Sequence, residues 1–151
     1  AGLMATRNKV SAQHKMNELV QSTAYMASGI QRLYGGNYGS TGTNMTAAVA
    51  GSGVIKEPFT VAGASNNEIY DDLGGTVTVT SRGSTFEIQF STTPIQRCRD
   101  MAGSFVNMAS KLTVGATVIK DALASTGAVN VAGIGTACAA EGSKNIILAF
   151  Q

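Results

Sequence analysis

The sequence predicts an α+β fold, helices combined with an antiparallel sheet, and three observations predict it. Residues 9–34 carry the apolar spacing of one helix face, two segments near mid-chain alternate with period two, and a second helix opens with a sharp start signal at residues 93–96. With 151 residues the chain fits one domain, residues 1–151, long enough to bury a core without a metal or cofactor.

Within residues 9–34, Met16, Leu19, Val20, Thr23, Ala27, Ile30 and Tyr34 form the buried stripe, and Gly35 and Gly36 supply the positive-φ stop. At ~1.5 Å per residue the helix would be roughly 39 Å long. No charge lies between Glu18 and Arg32, and the off-stripe positions are Gln21, Ser22, Ala24, Tyr25, Ser28 and Gln31. A helix whose back faces water normally carries charges there. A neutral, mostly small back therefore means either burial inside the domain or packing against copies of itself. Residues 1–5 fit the helical pattern poorly and read as a remnant of expression, set aside from the fold.

Residues 37–53, rich in Gly, Asn, Ser and Thr, read as an irregular connection with one helical turn around the apolar patch 45–49. Val54-Ile55 and residues 59–62 are candidates for peripheral strands. Residues 76–80 and 85–90 form a hairpin pattern, with Val77, Val79, Phe86, Ile88 and Phe90 facing the core and Thr78, Thr80, Glu87 and Gln89 facing out. Thr93 is suited to cap the second helix, Pro94 to its first position, and Gln96 to complete a capping box. Ile95, Cys98, Met101, Ala102, Phe105, Met108, Ala109 and Leu112 then keep helical spacing. Residues 117–120, 128–132 and 145–150 read as strands separated by Gly-rich turns. The last is nearly continuously apolar, which suits a strand inside a sheet.

Composition excludes several functions. A net charge of +2 with 13% charged residues and no basic run argues against a nucleic-acid footprint. Small, weakly charged residues tilt the reading toward secreted and surface proteins. No segment approaches the ~18–20 apolar residues of a membrane span, and no secretory signal is present. Cys98 and Cys138, with His14 as the single histidine, cannot assemble a four-ligand zinc site. A disulfide, worth roughly 4 kcal/mol and implying an oxidising compartment, is the favoured reading; two buried free thiols are the alternative. No Gly-x-Ser-x-Gly elbow occurs, and His14 reads as an exposed helix residue. Residues 51–56 imitate a dinucleotide fingerprint, but Lys56 replaces the last Gly and no strand leads in. Glu68, Asp71 and Asp72 lack a calcium loop and read as a turn ahead of Leu73, while Asn44-Met45-Thr46 is only a formal glycan acceptor. Neither a catalytic residue, a cofactor nor a metal ligand is assigned.

The order of parts resembles the type IV pilins. It comprises a long helix ending in Gly-Gly-Asn-Tyr-Gly, the Gly-Gly-Thr-Val-Thr-Val strand with its partner, a Pro-x-x-x-Cys helix from Pro94 to Cys98, a second cysteine near the end and a terminal apolar strand. The mid-chain helix carrying the first cysteine is most similar to the type IVb subgroup, which includes toxin-coregulated and thin conjugative pili. The resemblance implies an α/β roll with Cys98 and Cys138 bridged around residues 98–138, and residues 9–34 as the globular half of the pilin helix. It further implies a homopolymeric extracellular filament of a Gram-negative bacterium, with the precursor in the inner membrane. Its partners would be further copies, the pilus assembly machinery and a surface receptor on a host or recipient cell. The family's methylated, Glu-bearing hydrophobic half-helix and its processing site are not in this sequence, which truncation explains. The subunit interface expected on the free back of the helix is Gln21, Ala24, Ser28 and Gln31, with no catalysis. A minor pilin or secreted adhesin-like module of the same fold is the alternative.

Overall fold

The computed structural model describes residues 2–139 and 142–151, with side chains from residue 13 onward. Helix α1 spans Gly2–Tyr34, 33 residues or roughly 50 Å. It begins earlier than the sequence pattern suggested, because residues such as Leu3, Met4 and Ala5 are good helix formers and no proline interrupts them. Of the five residues set aside, Ala1 lies outside the described residues and the other four are helical. The helix ends as expected at Tyr34, followed by Gly35 and Gly36 at φ 61° and 88°.

Residues 37–53 hold the expected helical turn, α2 (Thr46–Ala50). The sheet follows in β1 (Thr60–Ala62), β2 (Glu68–Tyr70), β3 (Thr76–Ser81) and β4 (Phe86–Thr93), then, after α3 (Ile95–Phe105), β5 (Lys111–Val114) and β6 (Thr117–Asp121), and after α4 (Val131–Ala139), β7 (Lys144–Phe150). Its spatial order is β1-β2-β3-β4-β7-β5-β6, antiparallel throughout. The hairpin pairs Val79 with Ile88 and Val77 with Phe90. Strand β7 is interior, pairing Leu148 with Ile88 on one side and with Leu112 on the other. Alternation therefore sends Ile146, Leu148 and Phe150 into the core and leaves Ile147 half-buried on the opposite face.

That core is one cluster. Leu19, Met26, Ala27 and Ile30 of α1 and Met101 and Phe105 of α3 join the inward residues of β3, β4 and β7. Phe86 stacks on Phe150 at 5.4 Å between ring centroids, and Phe90 on Phe105 at 5.6 Å.

Several local readings are corrected by the tertiary structure. Strand β4 continues through Thr93, which pairs with Lys144 and turns inward, so its hydroxyl meets Met101 Sδ at 3.9 Å and caps nothing. Pro94 is itself the residue before the helix, with extended ψ of 148°. Helix α3 stops at Phe105, and Leu112 belongs to β5; one apolar spacing fits both periods, and pairing with Leu148 selects the strand. Residues 128–132 do not form a strand. Asn130 Oδ1 accepts the Gly133 N–H at 3.0 Å and starts α4 instead. Lastly, Val54-Ile55 is not a strand, whereas Glu68–Tyr70, read as part of an acidic turn, is β2.

Candidate functional site

The expected interface residues lie along one line of α1. Gln21, Ser28 and Gln31 are exposed and Ala24 is half-buried. Successive steps of three, four and three residues keep all four on one face. Gln31 is not wholly free, since its Nε2 donates to the Gln151 backbone carbonyl at 2.9 Å, an oxygen that also accepts from the Tyr38 hydroxyl at 3.0 Å. The helix C-terminal half is thus tied to the end of β7.

The neutral back is narrower than the sequence suggested, because residues 54–59 cross one flank of it. Ser22, counted with the free positions, is buried and its hydroxyl donates to the Glu57 carbonyl. Lys56 Nζ sits 4.1 Å from the centroid of the Tyr25 ring. Gly29 forms the notch that admits Val54: a Cβ there would fall 2.4 Å from Val54 Cγ1. What remains open is an uncharged strip through Gln21, Ala24 and Ser28. Nearer the N-terminus the helix leaves the body of the fold. Gln13, His14 and Lys15 are all exposed, and three consecutive positions point to widely separated directions around a helix.

Cys98 of α3 and Cys138 of α4 are joined, with Cα atoms 5.6 Å apart. The bridge fastens α4 to the buried face of α3, and Cys138 and Gly133 are the buried residues of α4. At the other flank of α3, Arg97 donates two hydrogen bonds to the Asp72 carboxylate, at 2.7 and 3.0 Å, both side chains being 14% exposed. Next to it Asp71 is buried. Its Oδ1 accepts the N–H groups of Leu73 and Gly75 at 2.9 and 2.8 Å, building the turn that the sequence assigned to solvated carboxylates. Desolvation raises the Asp71 pKa above the ordinary carboxylate value and the Asp72 charge adds to this, against the two backbone hydrogen bonds and the Arg97 charge. Among the described residues no group of His, Cys, Asp or Glu is placed to hold a metal ion.

A long helix whose C-terminal half packs on an antiparallel sheet, with a bridged C-terminal segment, is the architecture of a pilin. Among solved structures, the chain is similar to a type IVb pilin from Salmonella typhi, with a TM-score of 0.67 and 15% identity over 87% of this chain and 97% of that one. TcpA, a type IV pilin from Vibrio cholerae El Tor biotype, gives a TM-score of 0.67 and 14% identity over 91% and 99%. The fold is that of the type IVb pilins. No curated protein sequence matches significantly. The family described as PilS N terminal matches residues 13–151, and the chain belongs to that family. Family and fold together support a structural subunit of an extracellular pilus. Among the described residues, no helix is long and apolar enough to cross a membrane.

The sequence located both cysteines and the exposed helix face. It did not reveal the Gly29–Val54 notch, the Gln31–Gln151 tie or the Arg97–Asp72 pair. Each joins residues distant along the chain, and none has a periodic signature.

Proposed function

We propose that this protein polymerises through α1 into a type IVb filament that acts in adhesion, aggregation or conjugation. The observation that carries the reading is the uncharged strip of α1 at Gln21, Ala24 and Ser28, on a helix already leaving the body of the fold at residues 13–15. Small neutral residues let another helix approach closely, and they add no unpaired charge to a buried contact. Copies joined in this way meet head to tail, which gives an open helical assembly. In this reading a hydrophobic segment preceding the chain holds the unassembled subunit in the inner membrane for the assembly machinery. A receptor on a host or recipient cell is then met by the outer surface of the fibre.

The test is to place Ala24→Glu and Ser28→Lys separately in the complete gene and measure sheared surface fibres, with the melting of each purified domain as a folding control. Fibre loss with unchanged melting is expected, Ser28 being the cleaner site because it is exposed. Normal fibre yield from both folded variants would overturn the reading in favour of a monomeric adhesin-like module.

A further inference from the structure

Two apolar features lie on opposite flanks of α3. On the first, a groove of about 250 Å³ opens between α1, the turn after β2 and the start of α3, with Met16, Leu73 and Pro94 as its apolar part. Leu73 is 55% exposed there. Charges around the groove balance, with Arg97 held by Asp72 and with Lys15 and Asp100 of opposite sign. On the other flank, the Asn130 N–H donates to the Ile119 carbonyl at 2.8 Å, so the chain entering α4 runs along the outer edge of β6. This brings Val118, Val129 and Val131, exposed at 45%, 37% and 71%, onto one edge of the molecule. No charged residue lies between Asp121 and Glu141.

We propose that these valines of one subunit dock in the Met16–Leu73–Pro94 groove of a second copy. The contact rests on the filament reading above and names its side-to-side surface. A charge-free edge entering the groove brings no unpaired charge, and the Arg97–Asp72 pair keeps its partner. The groove is lined from α1, the turn after β2 and the start of α3, whereas Val118 lies on β6, the outermost strand, and Val129 and Val131 on the chain entering α4, so the two are separate surfaces. Two different surfaces so separated pair head to tail and continue as an open series. Three valines present only a fraction of the ~800 Å² per partner that a stable complex buries. The contact is therefore too small to hold a dimer in solution, and it forms where copies are already aligned by α1 at high effective concentration. This requirement selects a second copy over a partner arriving from solution.

The experiment combines Leu73→Cys with Val131→Cys in the complete gene, treats sheared fibres with a short bis-maleimide and reads the products on a denaturing gel. A ladder from the double variant and monomer from each single variant is the expected result. Intact fibres without a ladder overturn the contact and leave the α1 reading standing. Should the cysteine pair block assembly, Leu73→Lys and Val131→Glu replace it: each alone is expected to cut fibre yield about tenfold, and the two together to restore most of it. Parental yield from both single variants, or no rescue by the pair, overturns the proposal. Absence of fibres from the parental gene would instead overturn the filament reading itself.

Discussion

Gly29→Ala is a substitution for which helix propensity and packing predict opposite signs. Propensity alone makes the change stabilising by about 1 kcal/mol, since glycine is a poor residue inside a helix. In the fold, the new Cβ would lie 2.4 Å from Val54 Cγ1 and 2.9 Å from Val54 Cβ. Val54 is 2% exposed, and its Cβ does not move when the side chain rotates, so relief requires a shift of residues 54–59 away from α1. Overpacking of this kind costs about 1–3 kcal/mol, and an overlap reaching the Cβ belongs in the upper half of that span. The net loss is about 1–2 kcal/mol, a fall in Tm of roughly 2–8 °C for a domain of this size. Thermal and denaturant melts with the disulfide intact measure it. Val54→Ala by itself costs about 2 kcal/mol; it removes the Cγ1 overlap but leaves Cβ in place, so in that background the loss caused by Gly29→Ala is expected to shrink. A higher Tm for Gly29→Ala beside the native Val54 would refute the reasoning, because the strand of chain crossing the helix would then not be seated in the Gly29 notch.

Reduction and alkylation should change the intact mass by two thiols, and loss of the 40-residue crosslink between Cys98 and Cys138 should cost about 4 kcal/mol in a chain-entropy treatment. Hydrogen exchange is expected to rise mainly in residues 100–142 while the buried face of α1 stays protected; equal loss in both would contradict this. Leu148→Asp should abolish folding, whereas Ile147→Asp, on the half-buried opposite face, should leave a foldable domain with a lower Tm. Equal effects would put the face assignment of β7 in doubt. Because burial raises the Asp71 pKa in the fold, Asp71 contributes more stability as pH falls through that raised value, levelling off below the unfolded value near ~3.9. Asp71→Asn keeps an oxygen for the Leu73 and Gly75 N–H groups, so it should remove this part of the pH dependence without loss of stability at neutral pH; an unchanged pH profile of stability would count against it.

The sequence by itself determined the elements whose signal is local and repeated. The stripe from Met16 to Tyr34 defined the buried face of α1, with Gly35 and Gly36 marking its end. Period-two alternation defined both strands of the hairpin, and the nearly continuous apolarity of residues 145–150 placed β7 inside the sheet, where it pairs on both sides. Burial and turn chemistry leave such patterns in composition, so they are legible residue by residue. Tertiary structure decided what depends on partners far along the chain. Thr93 looks like a cap but is held by Lys144 in a strand, and Leu112 fits a helix until Leu148 claims it for the sheet. Likewise, the back of α1 looked free from Ser22 to Gln31 until Val54, Lys56 and Glu57 closed one flank of it. A one-dimensional pattern shows that a surface carries no charge; only packing decides whether the chain's own segments or another copy will cover it.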